Sequence, residues 1–432
     1  MARAPSLELV VAGVLVAGVG ALGATRLASP AGTGPGGMDA LVARADLASL
    51  RCLKRAVELQ DPQPGEAFEP TQADVRRLAA RVAEVRQLPF SDVPEPDFVP
   101  TLDGDDEGWL DEEDVLRDEI VLRALGVLGD EVDLASFYGG EPLGTYLPET
   151  GEVVVATDAG SVEHTTAHEL AHALTDQAIG FPEPEGTPRD LDEEDFALAA
   201  LIEGDATFTA SLVSPMSAFE NIATVIAVPF AGSGDSPHLV VREGMFPYVE
   251  GLGFVCSLWS RGGWAAVNEA YSRPPTSTDQ VLFPERYFSG SEPSDPRDPP
   301  RPEGWTALST DPWGAAALLF LFEAPGDDLS RGLDSARERA KAWGGGEVHV
   351  SLNDADAAVG LTLVERPGER SLCRSMAEWY AAAFPEELEL PTVTQERLAR
   401  AGDGRFASLR CRGRDVRLGI GPDMRVARAM SS

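Results

Sequence analysis

Five residues constrain this chain more than any others: His168-Glu169-Leu170-Ala171-His172. Residues four apart lie one above the other on a helix face, so the spacing demands a helix that brings two imidazoles together. Both rings can then reach one Zn2+ at about 2.0–2.1 Å. Glu169 flanks the same face, where it can hold a water proton as general base. The chain has only 5 histidines in 432 residues, and a random match is expected about 0.005 times at this composition. The surroundings suit a helix over about 161–179. A β-branched strand, Gly151–Ala156, precedes it; Asp158 or Ser161 can cap it; Gly180-Phe-Pro182 stops it.

An open metal site that works on a substrate wants three protein ligands. A histidine six residues beyond His172 is absent, because that position is Ala178. The apolar helix predicted over Leu191–Val213 carries the best third ligand, Glu203. Phe196, Ala199, Ala200, Ala206, Thr207 and Ala210 surround it on the helix, and a carboxylate there is costly unless paired or bound to a metal. Next to it, Gly204 weakens a helix interior by about 1 kcal/mol, which suggests a close backbone approach. Asp205 is a candidate for orienting a ligand histidine from behind. The expectation is one Zn2+ per chain, held by His168, His172 and Glu203, with Glu169 as base. His164, one turn earlier, reads as a first-turn surface residue, and His349 as a strand residue. His238, in Ser236-Pro-His, is a candidate oxyanion donor against an ordinary loop role.

Periodicity elsewhere predicts helices over Met38–Gln60, Gln72–Gln87, Asp111–Leu128, Val132–Tyr138, 311–323, 331–343 and 371–383. Strands are predicted at Val348–Leu352 and as a pair within Phe406–Ile420; residues 88–108 read as extended or looped. The class is α+β, predominantly helical. A Pro/Gly/Ser/Asp-rich segment, 289–304, is the best internal boundary. It divides an N-terminal helical region (37–150) and a metal-bearing core (151–290) from a C-terminal α+β region packed on that core (305–432).

The net charge of -36 argues against a nucleic-acid partner, which needs a basic footprint, and favours cations. The uncharged run Leu9–Thr25 falls short of the ~20 apolar residues of a spanning helix. It reads as a signal-peptide core, followed by a Gly/Pro tether to residue 36. The protein is therefore expected to be exported (periplasmic, cell-envelope or extracellular), either cleaved or anchored to a membrane through residues 7–25. No second stretch reads as a membrane span. In an exported chain Cys52, Cys256, Cys373 and Cys411 can pair; Cys373–Cys411 is the preferred pair, with Cys256 read as a buried thiol.

Three segments together resemble a group of bacterial and archaeal zincin-like proteins. They are His168-Glu-Leu-Ala-His-Ala-Leu-Thr-Asp-Gln177, Ala200-Leu-Ile-Glu-Gly-Asp-Ala-Thr207, and Gly262–Tyr271 leading into Pro274–Tyr287. The match runs weakly from about residue 72 onward, and its first two motifs are the specific ones. The resemblance implies a zincin-like (gluzincin-type) metallopeptidase core. It carries His168, His172 and Glu203 over as ligands and Glu169 as base. It departs at Phe283, where relatives often have His. Pro274–Tyr287 reads as a rigid loop lining a cleft. Tyr287 or Tyr271 there is a candidate oxyanion donor, against a packing role. The expected activity is hydrolysis of a peptide or protein substrate. The alternative is a zinc-stabilised, catalytically inactive binding or scaffold protein of the cell envelope.

Overall fold

The computed structural model describes residues 47–60, 67–102, 112–129, 132–137, 142–158, 160–182, 193–230, 232, 236–297, 301–353, 356–369, 371–385, 396–400 and 405–432. The apolar run Leu9–Thr25, the tether, and the first residues of the predicted Met38–Gln60 helix lie outside them.

The helices are α1 (Leu47–Gln60), α2 (Gln72–Arg86), α3 (Glu112–Ala124), α4 (Val162–Ala178), α5 (Glu193–Val213), α6 (Pro215–Ala227), α7 (His238–Ser272), α8 (Thr278–Leu282), α9 (Pro284–Ser289), α10 (Ala315–Glu323), α11 (Ala336–Ala340), α12 (Leu372–Ala383) and α13 (Met424–Met430). The strands are β1 (Asp97–Val99), β2 (Gly144–Leu147), β3 (Glu152–Ala156), β4 (Thr306–Pro312), β5 (Trp343–Leu352), β6 (Ala357–Glu365), β7 (Glu396–Arg400), β8 (Phe406–Arg412) and β9 (Asp415–Gly421). The class is α+β. The chain divides into two compact units that interleave in sequence: 1–109, 136–229 and 244–276 against 110–135, 230–243 and 277–432. The segment 289–304 falls inside the second.

The first unit holds a small mixed sheet in the order β1-β3-β2. β3 runs parallel to β1 and antiparallel to β2. Its buried face, Tyr146, Val153 and Val155, packs on Ala173 of α4, with Phe90, Phe98, Val162 and Phe181 around it. Ser161 caps α4 by accepting from the His164 amide, satisfying one of the free N–H groups of the first turn. Gly180 (φ +86°) ends the helix, where its amide donates to Asp176. The phenol of Tyr146 donates to the Asp176 carboxylate at 2.7 Å, tying β2 to α4. α5 is apolar all round because it is buried all round. By length and composition it qualifies as a membrane span, contrary to expectation, yet 94% of its 18-residue apolar window is buried inside the protein. A disulfide, Cys52–Cys256, joins α1 to α7 with 6.1 Å between Cα atoms. Cys256 is therefore a bridge and not a free buried thiol.

The second unit is built on a six-stranded antiparallel sheet in the order β4-β5-β6-β9-β8-β7. α13 covers one part of it through Ala358, Val426 and Met430. Cys373–Cys411 joins α12 to β8 as anticipated. Residues 306–312 are an edge strand paired with β5, so the helix expected from 311 begins only at Ala315. The predicted 331–343 helix shrinks to α11, and Val132–Tyr138 is a 3-10 turn over Leu134–Phe137.

Candidate metal centre

α4 sets His168 and His172 one turn apart, with their rings edge to face and centroids 4.6 Å apart. Their Nε2 atoms are 3.0 Å from each other. Glu203 of α5 places Oε2 3.0 Å from the first and 3.3 Å from the second. Two imidazole nitrogens and a carboxylate oxygen thus form a near-equilateral triangle. A tetrahedral ion with bonds of about 2.0–2.1 Å needs ligand atoms about 3.3 Å apart, so the donor set fits a metal in both chemistry and spacing. The three side chains are buried, between 6% and 9% exposed as residues. Among the described residues this is the one group of three or more His, Cys, Asp or Glu side chains arranged to hold a metal ion.

Burial alone would raise the Glu203 carboxyl. The charge of His172, and hydrogen bonds from His168 and His172, outweigh it and hold the group well below the carboxylate range. Glu169 goes the other way. Burial pushes its carboxyl up, His168 and His172 pull it back, and Glu203 adds repulsion; the net shift is upward. Glu169 has room because β2 begins with glycine: a Cβ at Gly144 would lie 2.8 Å from Glu169 Oε1 and 2.6 Å from Thr165 Cγ2.

One site residue escaped the sequence. Tyr248 of α7 stacks on His168, centroids 5.8 Å apart and planes 25° apart. Its hydroxyl hydrogen-bonds Glu203, and burial followed by the charges of Glu203 and Glu169 pushes it well above its ordinary value. Phe181 lies edge-on to His172 at 6.2 Å.

Asp205, anticipated behind a ligand histidine, is 1% exposed and anchors the helix that carries Glu203. Arg86 of α2 grips it through Nε at 3.0 Å and Nη2 at 3.0 Å. Tyr271 donates to it at 2.9 Å, and Thr175 and Thr209 approach at 3.4 Å. The Tyr271 phenol is thus engaged with this carboxylate. His164 is half-buried and not the surface residue anticipated. Its Nδ1 is shielded without a partner, and burial, then the charge of His168, pushes it down to about 3.

The other candidates belong to the second unit. His238 is not a loop residue: it opens α7, is 1% exposed, and its Nε2 lies 3.1 Å from Glu323 Oε2. Arg242 reaches the same oxygen at 2.9 Å and lies over the Phe320 ring. Burial would raise Glu323, but Arg242 and His238 pull it down to about 2. Tyr287 is buried in α9 against Phe288. The segment 277–287 is a pair of short helices where a loop was anticipated. Asp279, fully buried, receives Arg286 and Arg366, and Thr278 accepts the Ala316 amide at 3.1 Å. Phe283 lies under Arg286, Arg337 and Lys341. His349 is a buried strand residue, its Nε2 2.9 Å from Thr362 Oγ1.

Comparison of the chain with family models, curated proteins and solved structures finds no match to any of them.

Proposed function

We propose that this protein is an exported, zinc-dependent peptidase with a zincin-like core. The observation that carries the reading is the convergence of His168 Nε2, His172 Nε2 and Glu203 Oε2 within 3.3 Å of one another, beside a second buried carboxylate. His168, His172 and Glu203 hold the ion. Bound zinc supplies a Lewis acid that makes water a nucleophile near neutral pH. Glu169, buried beside the three donors, would be the general base, placed to take a proton from the attacking water and hand it to the leaving amine. A peptide is the favoured substrate because β2 ends the three-stranded sheet and starts beside Glu169. The outer edge of such a strand accepts an extended chain by main-chain hydrogen bonds. The two disulfides accord with an oxidising compartment.

The burial of all three ligands favours a second reading, a zinc-stabilised binding protein without turnover. Glu169 weighs against it, since a purely structural site gains nothing from a buried, uncoordinated carboxylate. Purified Glu169→Gln protein separates the two. The peptidase reading expects one zinc per chain and loss of hydrolysis across a peptide library. Undiminished hydrolysis overturns the assignment, and a wild type that binds zinc but cleaves nothing establishes the second reading.

A further inference from the structure

The metal donors come from two helices, and α7 fixes them from a third direction. α5 and α7 cross with no side chain between their backbones. A Cβ at Gly204 would lie 2.9 Å from Gly251 Cα and nearer still to the Gly251 carbonyl; a Cβ at Gly251 would run into the carbonyl of Ala200. Neither glycine is needed for a left-handed backbone, so close approach is the reason for both. Glu203 immediately precedes one of these glycines. Tyr248 lies one turn before the other. The crossing therefore sets the Tyr248 side chain directly over the donors, where its ring stacks on His168 and its hydroxyl meets Glu203.

We propose that Tyr248 is the positioning residue of the metal centre, seated by the Gly204–Gly251 crossing, which fixes the Glu203 carboxylate and the His168 ring before the ion arrives. This rests on the zinc reading above. A carboxylate that gives one oxygen to a metal needs a donor for the other, or it swings between one-point and two-point contact. The phenol hydrogen-bonds this carboxylate, and it is held in place by packing without any flexible stem. The stacked ring closes the second degree of freedom by stopping His168 from turning about its own axis. One side chain thus orders two of the three ligands, as groups behind a metal site commonly do. The arrangement concerns ligand orientation alone and assigns Tyr248 no contact with the substrate.

The test is zinc affinity, measured by competition with a chromophoric chelator, together with the visible spectrum of the cobalt-substituted protein. Full-length wild type, Tyr248→Phe and Gly251→Ala are compared. Loss of the hydroxyl is expected to weaken zinc binding about tenfold and to shift the cobalt bands, while the zinc-free protein still folds. Gly251→Ala is expected to weaken binding at least as much by pushing α7 off α5; if that variant does not fold, Tyr248→Phe decides alone. Wild-type affinity with an unaltered cobalt spectrum in Tyr248→Phe overturns the proposal and leaves the zinc reading intact. A wild type that takes up no zinc overturns both.

Discussion

Each unit of this chain buries a histidine against a glutamate, and the two clusters resolve their charge in opposite ways. In the second unit, His238 and Glu323 share their space with Arg242, whose guanidinium stands 2.9 Å from the carboxylate. The acid there meets a permanent cation supplied by the protein. In the first unit, Glu203 meets two imidazoles and a phenol, and Glu169 adds a second acid close by. Imidazoles can be neutral, and then they offer lone pairs in place of positive charge. The same residue types therefore close on themselves in one place and form a group that could hold a metal ion in the other. Arginine makes the difference, since it never gives up its proton.

The comparison can be broken from either side. The largest effect is expected at the first cluster. His168→Ala should take zinc from one equivalent to none by elemental analysis and reduce hydrolysis to background, whereas His238→Ala should keep its zinc. Equal zinc loss in both variants would erase the distinction. Next in size is Glu323→Ala. Removing the acid leaves Arg242 charged and buried, at a cost of about 3–5 kcal/mol in urea unfolding, with zinc content untouched. The same glutamate predicts a pH dependence. Its carboxyl falls from an ordinary 4.5 to about 2 on folding. Its contribution of about 3 kcal/mol is thus present above pH 4.5 and lost as pH drops toward 2. Stability curves between pH 2 and 5 should flatten in Glu323→Gln. The smallest effect is a displacement. Gly144→Ala drives a methyl group against Glu169 and Thr165 and should lower kcat ten- to a hundredfold at one zinc per chain. An unaltered kcat would mean that Glu169 does not work from its position in this structure.

Much of the site was legible because its signals are local. A His pair at helical spacing, a serine cap and a glycine stop define α4 with no knowledge of the rest. Glu203 was legible through energy, since an acid in an alanine-rich buried helix requires a reason. Tyr248 had no such signal. It reaches the donors only because α5 and α7 touch backbone to backbone, a fact distributed between Gly204 and Gly251. The role given to Asp205 shows the same limit: its grip on Arg86 links helices far apart in sequence. No element was assigned over 238–272, because Gly and Pro247 interrupt any clear period in α7. In the second unit β6 went unseen because it is buried on both faces, and such a strand loses the alternation that marks half-buried ones. β5 starts at Trp343, ahead of the expected Val348, running through Gly344–Gly346, where the backbones of Ser294 and Arg366 crowd in and no side chain announces a strand.

The interleaving of the two units has a practical corollary for handling the molecule. Since the chain passes back and forth between them before residue 277, no single cut releases either one whole. A fragment trimmed to the ligand-bearing helices 162–213 leaves behind Tyr248, Tyr271 and both cysteines of the Cys52–Cys256 bridge, so dissection by truncation will report on damaged pieces. Point substitution in the intact polypeptide is the cleaner instrument.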